Sequence, residues 1–122
     1  MNATAIPQFD LGLRARAGQP NEFDRKRIER ALAQRKRYRY VSPSVSPVTD
    51  GYRIESPCCS RNVDPAGGVV DVALLQYAPG SRPWRLYRKE HVLQQWHLHG
   101  CYERLVELLE HLNADPLRLF WQ

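Results

Sequence analysis

Lys26, Arg30 and Arg37 stand four and seven residues apart, a spacing that lays three cations along one ridge of a helix. Arg27 flanks that ridge, and Lys36, Tyr38, Arg39 and Tyr40 carry the pattern on toward Val41. Guanidinium and ammonium heads that pair with phosphates thus alternate with rings on which an unpaired base can stack. This is the chemistry of non-enzymatic nucleic-acid binding, with RNA or other single strands favoured over duplex. A second use of the same charges stays open. Glu22 and Lys26 form an i,i+4 pair that needs no ligand, and Glu103, Glu107 and Glu110 make an acidic ridge that the basic ridge of another copy could meet. The alternative is therefore a self-associating protein-interaction module, a homo-oligomer.

His97, His99 and Cys101 alternate at a spacing of two, so an uninterrupted strand would turn three metal-ligating side chains to one face, with Cys58 or Cys59 as a fourth. Gly100 is expected to end the strand before Cys101, and adjacent cysteines point apart. The expectation is surface or half-buried imidazoles and an inert buried thiol, with no metal and no cofactor. Glu55 and Asp71 could share a divalent ion, but no lysine accompanies them in a nuclease-like arrangement. A nucleophile elbow, a phosphate loop and HExxH are all missing, so no catalytic residue is assigned. A metal-dependent enzyme ranks third, behind the two binding modes.

These side chains need a scaffold. Residues 1–20 lack a helix or strand period and read as a flexible tail, which leaves residues 21–122 as one domain. Asp24 is the expected cap of a first helix, with Asn21 the alternative, and Phe23 with Ile28 would form a hydrophobic staple. Ile28, Ala31 and Leu32 make its buried stripe. Arg35 shares that stripe with its stem packed and its head in water, and the helix is expected to end between Arg37 and Tyr40. Val41 to Pro47 reads as a linker, because Pro43 and Pro47 remove amide donors.

Four strands follow from alternation at Tyr52 and Ile54, at Val70, Val72 and Leu74, at Trp84 and Leu86, and at Trp96 and Leu98. Trp84, Leu86, Trp96 and Leu98 fit one inward face, which assigns both tryptophans to packing. Tyr87 falls on the other face between Arg85 and Lys89, where it could take a single strand or simply cover the sheet. A second helix is expected over about Cys101 to Asn113, with Tyr102, Leu105, Val106, Leu109 and Leu112 on its apolar side, then a final strand from Leu117 to Trp121. The fold class is α+β: an N-terminal helix, a four- to five-stranded antiparallel sheet, a C-terminal helix and a last strand. This order resembles the small open barrels of the Sm-like RNA-binding fold; a plain sheet with helices on one face is the equal alternative.

Composition narrows the setting. The 122 residues are 43% hydrophobic and 25% charged, which suits one core and leaves no room for a second domain. The formal net charge is +5, yet residues 1–41 hold ten basic and four acidic side chains against eight and nine in the remainder. Basicity therefore belongs to one short segment, which excludes a protein coated in positive charge. Three cysteines, two of them adjacent, do not make a disulfide framework, and no apolar run approaches the length of a membrane span. A cytoplasmic setting without membrane contact is the expectation.

Glu22-Phe23, Arg27-Ile28-Glu29, Ala31-Leu32, Gly51-Tyr52-Arg53-Ile54-Glu55, Trp84 with Leu86-Tyr87, Trp96-His97 and the Leu-rich helix with its aromatic tail occur in one order. In that order the chain, over about residues 21 to 122, resembles a bacterial family catalogued as domain of unknown function number 3024. The stretch from Pro57 to Gly68, with both adjacent cysteines, departs from the family pattern. The resemblance implies no activity, so function rests on the chemistry of the residues.

Overall fold

The computed structural model describes residues 18–35, 41–57 and 68–121. Lys36, Arg37, Tyr38, Arg39 and Tyr40, the Cys58-Cys59 pair, the turn at Pro65 and most of the expected tail lie outside the described residues.

Asn21, rather than Asp24, caps the first helix, α1 (Glu22–Leu32): its Oδ1 accepts the Asp24 N–H at 2.7 Å. Asp24 is instead inside the first turn and buried, where its carboxylate accepts from the side chains of Gln19, Asn21 and Arg27. The expected staple does not form, because starting the helix at Glu22 turns Phe23 outward, 71% exposed. The helix stops at Leu32, short of Arg37. Arg35 explains how the chain leaves it. Its guanidinium turns inward rather than to water, donates to the carbonyls of Leu32 and Val41 at 2.8 Å each, and lies 4.4 Å from the Trp121 ring centre. A guanidinium satisfied by carbonyls and an aromatic face can be buried, and here it occupies a helix end that would otherwise leave carbonyls open.

Five strands run as an antiparallel meander, β1 (Ser44–Val48), β2 (Gly51–Pro57), β3 (Val69–Tyr77), β4 (Trp84–Glu90) and β5 (Gln95–Tyr102), and their order in the sheet is their order in the chain. The sheet is open, with β1 and β5 at its edges and both described helices on one face, as in the plain α+β alternative; no closed barrel forms among the described strands, and the strand order gives the Sm-like likeness no support. The expected linker contains β1. Prolines misled that reading, yet Pro47 needs no ladder donor on the outer side of an edge strand.

Directly paired residues share a face. Tyr52, Leu75, Leu86 and Gly100 form one row across four strands, Val45, Ile54 and Ala73 form the next, and Trp84 stands beside Tyr77. Against these rows pack Ile28 and Leu32 of α1 and Leu105, Leu108, Leu109 and Leu112 of the second helix, α2 (Leu105–Ala114), in a single core. Each fully buried Leu or Ile contributes roughly 1.5–3 kcal/mol. Asn113 ties the helices together by donating to the Ala31 carbonyl at 2.8 Å.

The second helix begins later than Cys101 because β5 continues to Tyr102, paired with Trp84. Glu107 then accepts the Arg104 N–H at 3.2 Å, which fixes the helix start. Tyr102 is accordingly a strand residue, and Val106 is 39% exposed. Leu117 to Trp121 is not a strand. Asp115, in the left-handed region at φ 35°, gathers the N–H groups of Leu119, Phe120 and Trp121 at 2.7, 3.1 and 2.8 Å. That clasp satisfies the backbone without a ladder and lets Phe120 and Trp121 enter the core.

Candidate functional site

The sheet has a second face, and a β-bulge decides what it carries. In the β4–β5 ladder Leu86 stands opposite Gly100 while the next residue, Tyr87, stands opposite Leu98, which leaves His99 as the extra residue. One inserted residue reverses the phase of alternation. Trp96 and Leu98 therefore share a face with Tyr87, not with Trp84 and Leu86 as the unbroken alternation predicts. Exposure agrees: Trp84 is 6% exposed and in the core, whereas Leu98 is 54% exposed and Trp96 only half-buried.

Across this face runs the row Arg53, Leu74, Tyr87, Leu98, with Arg85 and Cys101 on one side of it and Lys89 and Trp96 on the other. Both described helices bury their apolar stripes against the opposite face, so no described helix covers this one. An aromatic and aliphatic strip thus lies between cations.

Asp71 organises those cations. Its Oδ1 accepts from Arg53 Nε at 2.6 Å and its Oδ2 from Lys89 Nζ at 2.9 Å. Burial pushes the Asp71 carboxyl up, but the hydrogen bonds from Arg53 and Lys89 outweigh it and hold the pKa below the ordinary carboxylate value. Held by Asp71, the Lys89 ammonium stands 4.8 Å from the centre of the Trp96 ring. Glu55 lies opposite Asp71 and reaches Arg53 at 3.4 Å. The two carboxylates are engaged with cations, an ion-pair arrangement rather than a pair open to a divalent ion.

The basic helix is less bare than its sequence suggests. Arg25 pairs with Glu22 and with Glu29, the latter at 2.7 Å, and Arg27 pairs with Asp24 at 2.9 Å. Lys26 and Arg30 are exposed on the side of α1 away from the sheet. The ridge thus rests on Lys26 and Arg30; Arg37 lies outside the described residues. The acidic residues Glu103, Glu107 and Glu110 do come together, lining an open cleft of about 530 Å³ with Arg82 and His111 beside the end of β5.

The potential metal trio is divided. Against expectation Gly100 does not end the strand, but the bulge at His99 still separates the donors: His97 pairs with Arg88 on the helix-covered face and Cys101 with Arg85 on the open face. His99 meets Phe120 edge-on, ring centres 5.0 Å apart. Burial, then the Arg88 charge, lowers the His99 pKa. Among the described residues no group of three or more His, Cys, Asp or Glu could hold a metal ion. Among the same residues no helix is long and apolar enough to cross a membrane.

Sequence reasoning placed Tyr87 on the outer face but missed its companions Trp96 and Leu98. Gly100 was the available signal, since a glycine inside a strand pattern often marks a bulge.

Comparison with known proteins adds a family and no activity. No curated protein and no solved structure matches the chain. A family model described as a domain of unknown function (DUF3024) matches residues 16–122, and on that match the chain belongs to the DUF3024 family.

Proposed function

We propose that this protein binds single-stranded nucleic acid, RNA or DNA, on the open face of its sheet. The observation that carries the reading is the grouping of half-buried Tyr87 and Trp96 with exposed Leu98 on the face that no described helix covers, flanked by Arg53, Arg85 and Lys89. Ladder geometry separates diagonal neighbours such as Tyr87 and Trp96 by about 7–8 Å, room for two splayed bases side by side. Duplex offers no free base faces to such a surface, so single strands are the substrate it suits.

The charge on this face is modest. Arg53 and Lys89 are already paired with two carboxylates, Asp71 and Glu55, so stacking contributes more than phosphate pairing. If three cations meet phosphates, the slope of log affinity against log salt is roughly −2 on single strands. Lys26 and Arg30 point away on the far side of the core, too far from Tyr87 to share a short strand. They offer a second contact for longer ligands.

The test is a set of anisotropy titrations of labelled single-stranded RNA, single-stranded DNA and duplex at several salt concentrations. Tyr87→Ala should weaken single-strand binding, while the pair Lys26→Ala, Arg30→Ala should leave short strands bound. Absence of binding at low salt would sink the reading.

A further inference from the structure

We propose that β5 is the interface of a homodimer, in which the outer edge of Gln95–Tyr102 pairs antiparallel with the same strand of a second copy and joins two five-stranded sheets into one. The inference stands apart from the nucleic-acid reading.

The two edges of the sheet differ. β1 is five residues long and carries Pro47, a short strand with a missing donor, as natural edges usually are. β5 is eight residues long, contains no proline and no Lys, Arg, Asp or Glu, and among the described residues no strand pairs with its outer side. A long uncharged edge of this kind is a template for another strand. Its one irregularity, the bulge at His99, falls near the middle of the strand rather than ending it.

A second copy fits this edge on several counts. Antiparallel pairing of identical strands is isologous, so a two-fold axis closes the assembly at two chains and leaves no free β5 edge. A two-fold near Leu98 sets that side chain, 54% exposed, against Leu98 of the other copy on the open face. The strand brings no charged side chain to oppose its own copy. The acidic ridge of Glu103, Glu107 and Glu110, which follows β5, is carried to opposite ends of the shared ladder, roughly 27 Å apart at about 3.4 Å per residue. Like charges therefore stay apart. The end of β5 beside each acidic cleft comes to lie near the other copy's hairpin tip, whose Val92 and Leu93 are 86% and 64% exposed.

Sedimentation velocity on nuclease-treated protein over a hundredfold range of concentration tests the proposal. The wild type should shift from monomer to dimer, Leu98→Lys should stay monomeric with its thermal unfolding retained, and Ser46→Lys on β1 should dimerise as the wild type does. Hydrogen exchange gives a reading without substitution: amides within Gln95–Tyr102 should gain protection at high concentration while those of β1 do not. A wild type that stays monomeric throughout would overturn the proposal, as would a dimer that survives Leu98→Lys or one abolished only by Ser46→Lys.

Discussion

Tyr87 stands directly opposite Leu98 in the β4–β5 ladder, while Leu86, one residue earlier, stands opposite Gly100. That single offset moves Trp96 out of the core and onto the face Tyr87 occupies. Deleting His99 would remove the extra residue and make the alternation regular, with Leu98 and Trp96 still on the face of Tyr87 and Gly100 still on that of Leu86. The predicted result is a folded protein in which Trp96 keeps its exposure, read by the emission maximum and by quenching with acrylamide; a Trp96 that becomes buried would contradict this register.

Asp71 holds Arg53 and Lys89 with its two oxygens. Asp71→Asn keeps the volume and removes the charge, so it should cost about 1.5–3 kcal/mol in denaturant unfolding, the range for hydrogen bonds to a charged group. Lys89 would also lose its position over Trp96. Tryptophan emission should therefore change in the folded state, and an unchanged spectrum with unchanged stability would contradict this role.

Acid should weaken the fold in two stages. His91 has a lowered pKa through burial and the nearby Lys89, and His99 through burial and Arg88. The unfolded chain then takes up protons that the folded chain resists, so stability is full above the ordinary histidine pKa and falls as pH drops below about 6.5. Asp71, also lowered, adds stability above the ordinary carboxylate pKa that is lost only at more acidic pH. Urea unfolding at pH 7.5, 5.5 and 3.5 checks the order, and the double variant His91→Gln, His99→Gln should flatten the first stage while leaving the second.

The C-terminal clasp is a structural element in its own right. Trp121 is 2% exposed, donates its indole N–H to the Leu112 carbonyl at 3.0 Å and lies beneath Arg35. Trp121→Ala should cost about 3–5 kcal/mol. Asp115→Ala, which leaves three N–H groups without their acceptor, should cost on the order of 3 kcal/mol. Chemical unfolding measures both, and a loss under 1 kcal/mol for either would show that the tail contributes little.

Periodicity made most of the core legible. Ile28 and Leu32 on one helix, Leu105, Leu109 and Leu112 on the other, and the alternation of Tyr52 and Ile54 all point where the sequence pattern sends them. What escaped was whatever depends on one residue of register or on a long-range partner. Pro47 hid β1, because proline in an edge strand looks the same in sequence as proline in a linker. Phe120 and Trp121 read as strand residues, since nothing local announces that Asp115 will hold three amides. The Arg35 head was expected in water because its aromatic partner lies far along the chain. At the candidate site, Tyr87 was visible and Trp96 was not, for the reason the bulge supplies.

Trp96 reports directly on the open face of the sheet. Trp84 and Trp121 are buried, at 6% and 2% exposure, so an added ligand that stacks on the sheet should quench chiefly Trp96. Titrating unlabelled single-stranded RNA into the wild type, Trp96→Phe and Tyr87→Ala at low salt is the decisive measurement. Saturable quenching is expected in the wild type, with its loss in Trp96→Phe and a weakening in Tyr87→Ala of about 5- to 150-fold, the equivalent of one base–aromatic stack. Binding that is unchanged by Tyr87→Ala and leaves Trp96 emission unaltered, yet falls with Lys26→Ala and Arg30→Ala, would contradict it and move the site to the helix.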